Sequence, residues 1–418
     1  MTASQIPGPS SPDVLLAVQA LWTGEALADP YPGYERLRAL GNEGGVLPVP
    51  EWNAAFVTGH AAVSAILRSP AARSSEAGSS EWMAGQGGAG QSEGGKLLGH
   101  MMLFHNGLSH ARLRGLVQKA FTPRVVEEQR ELVRSLLDTL LRDLAAQEGP
   151  VDLVAGLANP LPSRVIMQML GLRGEEEQKF TAWTASVAEL IGGTRESPEL
   201  LARIEQDARE MRSYFRDLAD ELRLNPQPGL LSALAAAEDG GERLSGDELL
   251  SNAVLLLGAG HETTSNLIPG GVLALSGQPA SWAALVENPR HPGVADELLR
   301  FVSPVQLDGR HFTEDLPLGG AVLRAGSHAQ LLLAAANRDP HVFPEPHRLD
   351  WNRDNAARHL AFAAGPHYCL GASLARLEIA ETFAALAERF PGLRVQALPR
   401  FKANFVLRGP QALHVTLG

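Results

Sequence analysis

The stretch FAAGPHYCLGASLARLE, residues 362–378, decides how this chain is read. It carries the one cysteine of the sequence, Cys369, in a loop with Gly365 four residues before it and Gly371 two after it. Apolar positions three and four apart then announce an amphipathic helix. A cysteine just ahead of a helix faces unpaired N–H groups and the positive end of the helix dipole, which favours the thiolate and therefore metal ligation or nucleophilic attack. Glycines beside it let the backbone approach closely. Taken alone, the same residue reads as an inert buried thiol, because free Cys is among the most buried residue types. A single cysteine excludes an intramolecular disulfide and a Cys-based zinc cluster.

Outward from this loop, helical periodicity dominates from Ser109 to Gly418, with strand-like material confined to short runs such as AVLRAG, AQLLLAA and ALHVTL. The pattern is neither a regular βαβ alternation nor a repeat. Toward the N-terminus, VLLAVQALW, YPGYERLRAL and HAAVSAILRSP read as helices, and VLPVP and AAFVTG flanking Glu51 to Asn53 predict a β-hairpin. Residues 1–14 read as a loose arm, and the glycine-rich residues 71–98 as a mobile loop without a packed element. The expectation is one mainly α domain over 1–418 with small peripheral β-sheets. With 36 Lys plus Arg against 47 Asp plus Glu, the net charge is −11, the wrong sign for a nucleic-acid or anionic-membrane binder. No signal peptide or apolar run long enough to span a bilayer is legible, so a cytoplasmic monomer is expected.

Phe362, Gly365, His367, Cys369 and Gly371 spell F-x-x-G-x-H-x-C-x-G, which resembles the haem-binding loop of the cytochrome P-450 family. Three further stretches resemble that family in the order it requires. Ala259, Gly260, Glu262 and Thr263 in GAGHETTSN look like the oxygen-activating turn of its long central helix, Glu297 and Arg300 in ELLRF look like its Glu-x-x-Arg pair, and Arg348 in FPEPHRLDWNR is placed as the arginine completing a triad with that pair. The likeness runs from about Tyr31 to the C-terminus and is weakest over 71–108, where HNG at 105–107 replaces the usual Asp-Pro-Pro.

The resemblance implies a P-450 fold enclosing haem b, with O2 as co-substrate and Cys369 as the iron's ligand. A cysteinate pushes electron density onto haem iron and favours O–O cleavage. It also implies that His110, Arg114, Arg310 and His367 hold the propionates, and that Glu262 and Thr263 deliver protons. Read on their own, His100, His105 and His110 are spaced by five, which does not align ligands on one helix face. The mid-helix Thr263 is expected to bond back to the carbonyl of Ala259. Pro269 lies six residues beyond Thr263 and predicts a kink or an early helix end. The implied activity is insertion of one oxygen atom into a hydrophobic small molecule. Electrons would come from a separate ferredoxin-type or flavin-type donor with an NAD(P)H-dependent reductase, since too little chain follows Cys369 for an attached one. A hydrogen-peroxide-dependent peroxygenase and a haem-based sensor without turnover stay open. Leu255, Val305, Gln306, Leu307, Asn404 and Phe405 are expected on the substrate wall, and Arg112, Lys119, Arg353 and Arg358 as a basic patch for the redox partner.

Overall fold

The computed structural model describes residues 11–74, 92–119, 121–172, 176–192, 197–227, 229–236, 238–239 and 242–418. Twelve of its helices carry the argument: α1 (Pro12–Gln19), α2 (Tyr31–Leu40), α3 (His60–Arg68), α4 (Glu93–His100), α5 (Gly107–Gln118), α6 (Arg130–Ala145), α7 (Pro160–Leu170), α8 (Glu177–Gly192), α9 (Pro198–Leu224), α10 (Gly246–Ser276), α11 (Val294–Val302) and α12 (Ala372–Arg389). The expected hairpin is present as β1 (Val46–Val49) and β2 (Ala54–Val57), turned through a left-handed Asn53. With β3 (Ala72–Arg73), β4 (Asp308–Phe312) and β5 (His328–Leu331) it forms a peripheral sheet of order β1-β2-β5-β4-β3, in which β5 runs parallel to β2 and antiparallel to β4. A second small sheet joins 151–152, 394–395 and 414–416.

The architecture is organised by α10. Ser245 starts it with a reciprocal cap: its hydroxyl accepts the Glu248 N–H at 3.2 Å, and the Glu248 carboxylate accepts the Ser245 N–H at 2.8 Å. Its 31 residues extend for about 46 Å at the usual helical rise. Apolar groups cover it nearly all round, as suits a helix in the middle of a fold. Helices α7, α8 and α9 pack on one part of it, and α11 and α12 on another. The early end expected at Pro269 does not occur; the helix continues to Ser276. Packing explains why. A Cβ at Gly270 would stand 2.7 Å from Val302 of α11, and one at Gly271 would stand 2.5 Å from the Phe383 ring of α12. The two glycines that weaken the helix locally thus admit close neighbours on both sides, which hold it.

Two expectations near the N-terminus are corrected. The arm is shorter than 14 residues, because Ser11 caps α1 through the Val14 N–H and Pro12 occupies its first position. The loop expected over 71–98 contains β3 and most of α4; its residues 75–91 lie outside the described residues. The sequence EGGKLLGH forms α4 because its donors are satisfied from outside. Ser92 Oγ accepts the Gly95 N–H at 3.0 Å, and the Glu205 carboxylate of α9 accepts the N–H groups of Glu93 at 2.9 Å and Gly94 at 3.1 Å. Arg212 of α9 adds a 3.0 Å ion pair with Glu93. Ahead of α5, Asn106 accepts the Ser74 N–H at 3.0 Å and donates to the Ser74 carbonyl at 3.1 Å, tying the loop before α5 to the end of β3.

Candidate active site

The loop before α12 is shaped by its glycines. Gly365 has φ +71, and a Cβ on it would stand 2.3 Å from the Leu67 carbonyl at the end of α3, so only glycine fits. Past that crossing the chain turns so that the Cys369 N–H donates to the Phe362 carbonyl at 2.9 Å, and the Gly371 N–H donates to Cys369 Sγ. Burial pushes the thiol up, opposed by the Gly371 N–H and by the guanidiniums of Arg114 and Arg376. A Cβ at Gly371 would have no protein atom within 4 Å. It would point into open space at the wall of a cavity of about 460 Å³, which Phe362, His367, Cys369 and Gly371 also line; Gly365 shapes the loop without reaching that wall.

From α10 the same cavity receives Leu255, Ala259, Gly260, Glu262 and Thr263. Thr263 Oγ1 donates to the Ala259 carbonyl at 2.9 Å, the expected back-bond. Gly260 fits closely against α7, where a Cβ would stand 3.2 Å from Ile166. Glu262 is 7 % exposed and paired: Lys402 Nζ donates to its Oε1 at 2.7 Å, and Asn266 Nδ2 donates to the same oxygen at 3.2 Å.

Charged groups on the rest of the wall are gathered in few places. His110 of α5 and His367 stack with ring centroids 4.1 Å apart, and Arg114 and Arg310 line the cavity with them. Burial, then Arg114 and His105, lowers His110 to about 4; burial, then His110, Arg310 and Arg114, lowers His367 to about 3. Both rings are therefore neutral near pH 7. Arg114 donates to the Tyr368 carbonyl at 2.7 Å, and Arg310 to Asp308 at 2.6 Å. Two cations and two imidazoles converging on one edge of a cavity suit a ligand bearing two carboxylates. Elsewhere, Glu378 of α12 is 2 % exposed, its Oε2 has no hydrogen-bond partner, and burial raises its carboxyl to about 8.

Beneath the cysteine loop, Glu297 and Arg300 of α11 are both fully buried. Arg300 donates to both Glu297 oxygens, at 2.7 and 2.8 Å, and to the carbonyls of Asn337, Pro346 and Arg348. The third member is Arg353, not Arg348. Arg353 Nε donates to Glu297 Oε1 at 3.1 Å, whereas the Arg348 side chain is 59 % exposed and pairs with Glu345. The left-handed Glu345 and the Arg348 N–H to Glu345 carbonyl bond form a turn that offers only the Arg348 carbonyl inward. Arg353 is thereby removed from the expected basic patch, and Arg112 is engaged with Glu248 of α10. Adjacent Asp296 accepts from Arg376 at 2.6 Å and contacts His359 at 3.2 Å, a contribution of α11 to the cysteine loop that sequence reading missed.

On the expected substrate wall, Leu255, Val305 and Leu307 line the cavity, as do Val406 and Leu407. Gln306, Asn404 and Phe405 do not. Gln306 Oε1 accepts the Tyr34 hydroxyl at 2.7 Å, and Asn404 Oδ1 accepts the N–H groups of Val406 and Leu407 at 3.1 and 2.9 Å. Phe405 turns outward onto Trp22 and Tyr34. The side chain of Asn404 closes the turn, which carries the next apolar pair to the cavity instead.

The Cytochrome P-450 family model matches residues 53–411. The chain belongs to the cytochrome P-450 family. Nocardicin C N-oxygenase of Nocardia uniformis subsp. tsuyamanensis is 40 % identical over 314 residues, which cover 73 % of this P-450 and 77 % of that protein. Cytochrome P-450 monooxygenase PikC of Streptomyces venezuelae is 38 % identical over 396 residues, covering 93 % and 91 %. Among solved structures, P-450 BioI in complex with an acyl carrier protein ligated to hexadec-9Z-enoic acid superposes with a TM-score of 0.86 at 33 % identity, covering 94 % of this chain and 99 % of that one. This P-450 is accordingly a haem-thiolate monooxygenase with the P-450 fold, a haem iron cofactor and O2 as oxidant. Its residues fit that group: a half-buried thiol with an N–H donor at the cavity wall, a glycine beside it with open space where a Cβ would stand, and two arginines with two neutral imidazoles at one edge. Among the described residues, no helix is long and apolar enough to cross a membrane.

Proposed function

We propose that this P-450 holds haem b through Cys369 and inserts one oxygen atom into an uncharged, apolar small molecule, drawing electrons from a separate ferredoxin-type or flavin-type donor. The observation that carries this reading is the sharing of one cavity by the Cys369 thiol and the Ala259–Thr263 turn of α10. Bound haem supplies the reduction and cleavage of O2, for which a thiolate ligand is the favourable electron donor. The protein's part is to keep the Gly371 N–H on the sulfur, to hold the propionates with His110, Arg114, Arg310 and His367, and to bring protons through Glu262 and Thr263. Val187, Ala188, Leu255, Val305, Val406 and Leu407 make the wall apolar where substrate is held, which excludes water and selects against charge.

The test is spectroscopic and then functional. Purified protein should give a reduced carbon monoxide complex with the far red-shifted Soret band of thiolate-ligated haem, and Cys369→His should abolish it, imidazole being the weaker donor. Retention of that band by the variant removes Cys369 from the iron. Product formed with O2 and an electron donor supports the monooxygenase reading; product with hydrogen peroxide alone makes the protein a peroxygenase, and neither makes it a sensor.

A further inference from the structure

Glu262 is linked to the surface by the side chain of Lys402. Lys402 Nζ is 2.7 Å from Glu262 Oε1 and 3.0 Å from Asn266 Oδ1, and its side chain keeps 28 % of its surface exposed against 9 % for that of Glu262. The segment around Lys402 is built to hold it there. The Lys402 N–H donates to the Gly409 carbonyl at 2.9 Å, and Phe401 bridges Pro410. Gly409 lies so near α10 that a Cβ on it would stand 2.0 Å from Asn266 Oδ1. The turn between these anchors carries Val406 and Leu407 to the cavity wall. Both bonds to the acid fall on Oε1, from Lys402 and from Asn266.

We infer that Lys402 is the positioning residue for the proton-delivering acid. It holds Glu262 by Oε1, which leaves Oε2 for the relay: Oε2 accepts a proton from solvent hydronium, leaving water, and passes it to the Thr263 hydroxyl oxygen as that hydroxyl hands its own proton on into the cavity. An ammonium group is far too weak an acid to be the donor itself, its ordinary pKa lying about six units above that of a carboxyl. Lys402 therefore orients and does not relay. Because the same segment contributes Val406 and Leu407, proton supply and substrate contact share one support. This inference rests on the monooxygenase reading above.

The experiment compares wild type, Lys402→Met, Lys402→Arg, Glu262→Gln and the Lys402→Met/Glu262→Gln double variant as haem-loaded proteins. Styrene is the uncharged probe, supplied once with O2 and electrons and once with hydrogen peroxide. Lys402→Met should lower product per electron pair about tenfold, less than the roughly 10²- to 10⁴-fold for loss of the acid itself because Glu262 stays in place, and enlarge the solvent isotope effect. Peroxide-driven product and styrene binding by the spin-state change should stay as in wild type, and Lys402→Arg should restore coupling. The melting temperatures of the four members of the Lys402 and Glu262 cycle provide a readout independent of turnover, and the double variant should lose less than the sum of the single ones. Additive losses, or full coupling in Lys402→Met while Glu262→Gln is impaired, overturn the role of Lys402 alone. If wild type forms product with peroxide only, the monooxygenase reading fails and the proton role falls with it.

Discussion

Replacing Arg353 by Met should destabilise the protein severely, and the same change at Arg348 should scarcely register. Arg353 donates four hydrogen bonds: to Glu297 Oε1 at 3.1 Å and to the carbonyls of Pro344, Glu345 and Arg348 at 2.6, 3.2 and 3.1 Å. Its side chain is 7 % exposed and that of Glu297 is fully buried, so the carboxylate cannot recruit bulk water in exchange. Removing one partner of a buried ion pair costs about 3–5 kcal/mol. Glu297 keeps both bonds to Arg300, which places the expected loss near the lower end, about 3 kcal/mol. Arg348 bonds Arg300 and Arg353 through its backbone carbonyl, which substitution leaves in place, and its side-chain bridge to Glu345 joins groups 59 % and 71 % exposed. Such a bridge contributes about 0–1 kcal/mol. The assay is urea denaturation of both haem-loaded variants, followed by circular dichroism and by the Soret band. Equal midpoints for the two variants, or a larger loss at Arg348, would refute the assignment of the triad.

Three further outcomes are expected. Thr263→Ala should leave O2 consumption intact while product per reducing equivalent falls by up to about 10²-fold with release of hydrogen peroxide; equal coupling in both proteins would take the hydroxyl out of proton delivery. Gly371→Val should fold normally by circular dichroism yet retain little haem, since the new side chain would meet no protein atom but crowd the cavity wall beside Cys369, whereas Gly365→Ala should lower the melting temperature of the protein as a whole because of its φ of +71 and the Leu67 carbonyl 2.3 Å away; the reverse pattern would misplace the cofactor. Glu378, raised from 4.5 to about 8 by burial, keeps in the folded state a proton that the unfolded chain releases as pH rises from about 4.5 to 8, so it lowers stability across that window. At pH 7 this penalty is about 3 kcal/mol, and Glu378→Gln should gain urea resistance over wild type progressively between pH 5 and 8, a gain independent of pH being the contrary result.

How much of this was legible depended on the distance over which each feature is determined. The cysteine loop could be read because backbone chemistry fixes it locally: one positive φ at Gly365, one N–H from Gly371 and one thiol between them. Glu297 and Arg300 could be read because three residues on a helix bring side chains together. The choice between Arg348 and Arg353 could not, because both lie in an irregular segment with no period, and a single left-handed residue at Glu345 decides which side chain turns inward. Helix α4 was hidden by composition: glycine-rich EGGKLLGH has poor intrinsic propensity, and the carboxylate that satisfies its first N–H groups comes from Glu205, more than a hundred residues away. Lys402 was hidden for the same reason, its partner Glu262 lying 140 residues earlier. The wall residues Val406 and Leu407 were missed by a small shift, since Asn404 serves its own turn and Phe405 packs elsewhere.

The attachment of α4 to α9 also bears on how far one wall of the cavity can yield. Met102 and Leu103, which follow α4 closely, line the cavity, so a displacement of α4 from α9 would carry that wall with it. Such a displacement would break the two N–H bonds to the Glu205 carboxylate and the Arg212–Glu93 pair together. For any molecule that needed the displaced form, the observed dissociation constant would be the intrinsic one divided by the displaced fraction; at a fraction of about 1 %, binding would weaken about 100-fold. A polar contact outside the cavity thus stiffens an apolar wall inside it.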